Sequence, residues 1–242
     1  MIKHLIVCGD SFNTLSRIIK FKGTHWSEHL SRILDLNLIN LASAGASNRM
    51  VVMQIEEAMK YDDALIIFSP AASSTRMEIL TDSTQCLNEN ITYESFLKKP
   101  VDGPQPNAFI MSGNVSNLRR DLTVPHPVRK MILEYMPIGL NWHIDKWALY
   151  YALDQLKKRQ KNFLFIETVV HTSYQILQYE ELEQLVGKEH IIATDEFRYQ
   201  FYINSSVDTT FEDPIYHTRP EDQIATANIL LNIIKQRGIM DK

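Results

Sequence analysis

The stretch Leu5-Ile6-Val7-Cys8-Gly9-Asp10-Ser11-Phe12 decides the fold. Four apolar residues with no polar break read as a strand buried on both faces, the pattern of a parallel sheet covered above and below. Gly9 then permits a tight turn, and a small hydroxyl follows at the entry to the next element. In an open parallel sheet, ligands bind outside the carboxyl ends of the strands. The residues immediately after each strand are therefore the informative ones.

Working outward, further short apolar runs follow at Leu36 to Leu41, Ala64 to Phe68, Asn162 to Ile166 and His190 to Ala193. Helical patterns separate them. Trp26, Leu30, Ile33 and Leu34 fall on one helical face, as do Val51, Ile55, Ala58 and Met59. The segment from His143 to Lys161 carries Trp147, Tyr151, Leu153 and Leu156 and ends in Lys157-Lys158-Arg159, a basic run suited to a helix C-terminus. A last helix opens at Pro220, with Glu221 and Asp222 in its first turn. Ile224, Ala227, Leu231 and Ile234 form its expected buried stripe, and Gly238 closes it. Strands alternating with helices predict one α/β domain over residues 1–242: a mostly parallel five-stranded sheet with helices on both faces. Residues 81–140 break the rhythm, with Pro100, Gly103, Pro104, Pro106, Pro125, Pro127 and Pro137 among them. They read as a long insertion after the third strand.

Composition narrows the class. The chain has 242 residues, 45% hydrophobic and 22% charged, which is ordinary for a globular protein and argues against wholesale disorder. A formal net charge of -4 gives no footprint for broad nucleic-acid binding. Cys8 and Cys86 are too few for a disulfide framework or a cysteine-rich zinc site, and they suit a reducing compartment. No run approaches the roughly 18 apolar residues of a membrane span. The expectation is a cytoplasmic protein with no cofactor and no metal.

Three strand-exit segments hold candidate chemistry. Gly9-Asp10-Ser11 follows the first strand. Asn40 to Asn48, with Gly45 offering an unobstructed backbone N–H and Asn48 an amide, follows the second. Asp213-Pro214-Ile215-Tyr216-His217 precedes the last helix, and a carboxylate near a histidine can fix its tautomer. Taken singly, each is more often a helix cap or a surface loop. Together, in this order, they resemble the SGNH (GDSL-like) hydrolases. Closer still is the likeness to divergent SGNH-like proteins of tailed bacteriophages, which extends to Ser47-Asn48 and to Ser74-Thr75-Arg76-Met77-Glu78.

The resemblance implies a three-layer flavodoxin-like fold and a serine esterase acting on a small acyl or O-acetyl ester, an acetylated glycan included. Ser11 is then the nucleophile, His217 the general base and Asp213 its orienting carboxylate. The oxyanion donors are then the backbone N–H groups of Ser11 and Gly45. Either Asn48 could add an amide or Ser69 or Ser73 a hydroxyl. Asp10, Ser69 and Arg76 are substrate-binding candidates, although Arg76 reads more readily as a local ion pair with Glu78. It also implies work in the cytoplasm of an infected host cell. Two departures are plain. The family places Gly-x-Asn-Asp after the third strand, where this chain reads Phe68-Ser69-Pro70-Ala71-Ala72-Ser73, with Ala71 at the asparagine's place. Three residues, not two, separate Asp213 from His217. They leave open a second reading, a catalytically degenerate SGNH fold that binds a protein partner or serves phage assembly.

Bland readings cover the remaining residues of interest. His25 and His29, four apart on a helix, could face one metal, but no third ligand is evident. His171, after the fourth strand, is a fallback base. Cys8 reads as a small core residue, and Trp142, Trp147, Tyr150 and Tyr151 as core aromatics.

Overall fold

The computed structural model of the protein describes residues 1–10, 13–15, 23–43, 46–70, 77–80, 108–111, 138–166, 179–192 and 220–241. Five parallel strands form one sheet: β1 (His4–Cys8), β2 (Asn37–Asn40), β3 (Ala64–Phe68), β6 (Asn162–Ile166) and β7 (Ile191–Ile192), in the spatial order β2-β1-β3-β6-β7. A separate antiparallel pair, β4 (Met77–Leu80) and β5 (Ala108–Met111), runs from Met77 opposite Met111 to Leu80 opposite Ala108. The expected strands all form, within one or two residues at their ends. The stretch read as an insertion contributes β5 and the start of the long helix α3 (Ile138–Lys158).

Side chains alternate across the sheet and build two cores. On one face, Ile6, Cys8, Ile66, Phe68, Phe163 and Phe165 pack against α2 (Asn48–Ala58), α3 (Ile138–Lys158) and α4 (Tyr179–Val186). On the other, Leu5, Val7, Leu65, Ile67, Leu164 and Ile166 pack against α1 (Trp26–Ile33) and α5 (Pro220–Gln236). The result is the expected three-layer α/β architecture. β3 is apolar throughout, and β1 and β6 are apolar after their first residues, His4 and Asn162, because both of their faces meet helices. β2 lies at the sheet edge, and its Asn-Leu-Ile-Asn sequence is only half buried.

Helix starts are well specified. His25 caps α1: its backbone N–H donates to the Glu28 carboxylate at 3.1 Å, and its Nδ1 accepts from Ser27 N at 3.3 Å. Ser47 caps α2 by accepting from Met50 N at 3.3 Å. At the other end of α3, Gln160 takes the left-handed conformation, φ 52°, that ends many helices.

Several sequence expectations are corrected. Trp147 and Tyr151 are 72% and 53% exposed, so they are not core; Leu149, Ala152, Leu153 and Leu156 take the inward face of α3. Ile33 is half exposed, because Trp26 and Leu30 already fill the inward face of the short α1. The α5 stripe holds at Ala227 and Ile234, both buried, and fails at its other two positions. Ile224 is exposed and Leu231 only partly buried, while Gln223, Ala227, Leu230 and Ile233 face in. The cause is Gln223, whose amide has a buried partner and so takes the inward position of the first turn. Cys8 is a buried core residue, as expected, and burial pushes its thiol far above the usual range.

Candidate functional site

The strand order 2-1-3 reverses direction at β1, and the crevice outside β1 and β3 is the topological switch point where such sheets bind ligands. Cys8 pairs with Phe68 at the last register position, so Gly9-Asp10 and Ser69-Pro70 leave the sheet side by side.

Asn13 laces this rim together. Its Nδ2 donates to Ser69 Oγ at 2.6 Å and to the Cys8 carbonyl at 3.3 Å. The Cys8 contact fixes the amide's orientation, since a flipped amide would set oxygen against oxygen. Ser69 Oγ is therefore an acceptor from Asn13, and its own proton has no acceptor among the described residues. Asn40, at the end of β2, donates through Nδ2 to the Asn13 carbonyl at 2.7 Å. Its Oδ1 accepts from Ala42 N at 3.1 Å. The exits of β1, β2 and β3 are thus joined by two asparagines.

The turn after β1 is held equally firmly. The Asp10 carbonyl accepts from Asn13 N and from Thr14 Oγ1, both at 3.0 Å. Gly9 N donates to Gln54 Oε1 of α2 at 2.7 Å, and the Gly9 carbonyl accepts from Ser43 N at 3.1 Å. Gly9 has φ 145°, and a Cβ there would sit 2.1 Å from Asn13 Nδ2. Only glycine allows this close approach. Asn13 Oδ1 and Gln54 Nε2 are buried without a partner among the described residues. Unsatisfied polar atoms of this kind cost roughly 1–3 kcal/mol each.

Of the sequence-derived site residues, Asp10, Asn48 and Ser69 are described, and all three are buried at the carboxyl edge. Asn48 opens α2, and its Nδ2 donates to Asp145 Oδ2 of α3 at 3.2 Å. Ser11, Gly45, Arg76, Asp213 and His217 lie outside the described residues, as does His171. Asp10 and Asn13 flank the Ser11 position. His217 precedes α5 by three residues, and the first turn of α5 is tied to the first residue of α1: Trp26 N donates to Gln223 Oε1 at 2.8 Å. Because α1 runs back from the exit of β1, this contact sets the start of α5 at the same edge of the sheet.

Asn13, Gln54 and Asp145 were not anticipated, and Asn40 only as the first residue of the segment after β2. Their one sequence signal is an amide or carboxylate set at a strand exit or inside an apolar helix face. His25 caps α1, and His29 contacts the Arg32 guanidinium at 2.9 Å. Among the described residues no group of three His, Cys, Asp or Glu side chains could hold a metal ion. No helix there is long and apolar enough to cross a membrane.

No family model matches the chain, and no curated protein matches it. Solved structures do. The psychrotrophic esterase EstA from Pseudoalteromonas sp., in a structure inhibited by monoethylphosphonate, superposes with a TM-score of 0.52 at 9% identity over 97% of each chain. The YXIM protein of Bacillus subtilis gives 0.51 at 13% identity, covering 99% of this chain and 58% of its own length. At such identities the likeness is one of fold alone: a parallel five-stranded sheet between two layers of helices.

Proposed function

We propose that the protein is a serine ester hydrolase of the SGNH type acting on a small acyl or O-acetyl ester, an acetylated glycan among the candidates. The observation that carries this reading is the Gly9-Asp10 turn. That turn lies at the switch point of the sheet, is tied by Asn13 to the exit of β3, and immediately precedes Ser11 in the sequence. Ser11 Oγ attacks the acyl carbon and its proton passes to His217, which Asp213 orients. The backbone N–H groups of Ser11 and Gly45 receive the oxyanion. When the tetrahedral intermediate collapses, the carbon–oxygen bond to the alcohol breaks and His217 returns the proton to the leaving oxygen. Water then attacks the acyl-serine with the same proton relay reversed.

Ser69 fits a substrate-facing role, since its hydroxyl accepts from Asn13 and retains a proton to donate. Asp10 and Arg76 complete the substrate-binding set of this reading. The asparagine missing at Ala71 is the feature that most favours the alternative, a degenerate fold that binds a protein partner. On the sequence resemblance of Ser47-Asn48 and the Ser74 to Glu78 stretch alone, the proposal includes a phage origin and action in the host cytoplasm.

The test is hydrolysis of p-nitrophenyl acetate together with labelling by a fluorophosphonate. Wild type should turn over and label once per chain, with the rate falling as pH drops through the ordinary imidazole range, about 6.5. Ser11→Ala should do neither. Equal rates for the two proteins, or no labelling of wild type, refute the hydrolase and leave the binding fold.

A further inference from the structure

Asp145 is fully buried in α3, among neighbours such as Leu149 and Ala152 that pack the core. A carboxylate taken out of water is costly unless it is paired and hydrogen-bonded, and an apolar residue would fill the same volume. This one is paired with the first turn of α2: Oδ2 accepts from Asn48 Nδ2 at 3.2 Å, and Oδ1 lies 3.5 Å from Arg49 Nε. Further along the same helix, Gln54 Oε1 accepts from Gly9 N at 2.7 Å. Helix α2 is thus pinned to α3 at its start and to the turn after β1 in its middle. The turn itself is held by Asn13 N and Thr14 Oγ1, which both donate to the Asp10 carbonyl, and it leaves no room for a side chain at Gly9.

We infer that Asp145 is a positioning residue for the nucleophile turn, acting through α2 from Asn48 to Gln54 and so to Gly9. The inference rests on the ester-hydrolase reading. Asp145 touches no reacting atom; it sets where α2 sits along and around its axis, and thereby where the backbone before Ser11 is held. The chain through Ala46 and Ser47 carries the same constraint towards Gly45. A displacement of the order of 1 Å in a catalytic arrangement costs about a hundredfold in rate. A single polar pin on α2 is therefore enough to matter.

The experiment compares wild type, Asp145→Asn, Asn48→Ala and the exchanged pair Asn48→Asp with Asp145→Asn. Each is assayed for kcat and KM on p-nitrophenyl acetate and for the rate and stoichiometry of fluorophosphonate labelling. Asp145→Asn is expected to lower kcat about tenfold to a hundredfold with KM within threefold. The labelling rate should fall by the same factor while the final stoichiometry holds at one per chain. Asn48→Ala, which keeps the Arg49 pairing, should reproduce the loss if Asp145→Asn does not fold. The exchanged pair, an amide again facing a carboxylate, should recover most of the rate. A purely structural role would reduce the fraction that labels and leave the rate per labelled site at the wild-type value; that result overturns the inference, as does an exchanged pair no faster than the single variant. An inactive, unlabelled wild type instead overturns the hydrolase reading and this inference with it.

Discussion

The backbone N–H of Trp26 donates to Gln223 Oε1 across 2.8 Å, joining the start of the first helix to the start of the last over a separation of 197 residues. A helix leaves its first N–H groups without intrahelical partners, and here a side chain from the far end of the chain supplies one. Both partners are buried, so water cannot replace either.

Gln223→Ala should therefore destabilise the fold by about 1–3 kcal/mol, the cost of an orphaned buried N–H. Urea denaturation with an unchanged m-value measures it. A midpoint equal to wild type shows that the contact adds nothing. On the hydrolase reading, the variant also loses activity beyond its loss of folded protein, since the segment holding His217 runs directly into this turn.

Gly9→Ala should cost at least about 1–3 kcal/mol for the backbone conformation alone, since φ 145° is foreign to residues with a Cβ. The contact with Asn13 adds to that. Shortening Asn13 to Ala in the Gly9→Ala background removes the contacts with Nδ2 and Cγ but leaves the one with Cβ at 3.2 Å and the backbone strain, and it gives up the bonds to Cys8 and Ser69, so the double variant is expected to recover only part of the loss. Full recovery would mean the backbone term is absent.

Ser69→Ala removes a hydroxyl that accepts from Asn13 and holds its own proton ready for an acceptor. If that proton meets developing negative charge, kcat should fall about a hundredfold, the usual effect of one such donor. Stability should fall by only about 0.5–1.5 kcal/mol, the net worth of one hydrogen bond. An unchanged kcat removes Ser69 from the site.

Burial, and then the neighbouring Arg32 guanidinium, hold the His29 imidazole below its ordinary value. A group whose pKa is depressed by folding adds stability above its unfolded value and loses it as the pH falls. Wild type should thus lose stability below about pH 6.5, the unfolded value, continuing down to the folded one. His29→Gln should show a shallower decline in denaturation midpoints between pH 8 and 5. Parallel declines would contradict the assignment. The effect is small, because His29 is only partly buried and solvent screens part of its charge.

How much was legible beforehand differs by element. The strands read cleanly because β1, β3 and β6 are covered on both faces. An unbroken apolar run such as Ala64 to Phe68 is the direct imprint of water being excluded from both sides of a strand. Helix faces read less well. In α3 the aromatics Trp147 and Tyr151 drew the inward assignment, yet the leucines and Ala152 take it. In α5 a glutamine claimed an inward position that periodicity alone would have given to an isoleucine. Hydropathy does not register a polar side chain with a buried partner waiting for it.

Asn13, Asn40, Gln54 and Asp145 show the same limit at the site. Each is an ordinary polar residue until its partner is known, and the partners lie between 27 and 97 residues away. The order of strands and helices, the glycine turn after β1 and the candidate motifs at the exits follow from local pattern, because burial on both faces and backbone freedom are local properties. Which amide meets which carbonyl, which helix face turns inward, and that the first turn of α5 is joined to the start of α1 follow only from the folded arrangement. These are pairings between distant parts of the chain, and a hydrogen bond gains its value from desolvation that exists only once the layers have closed.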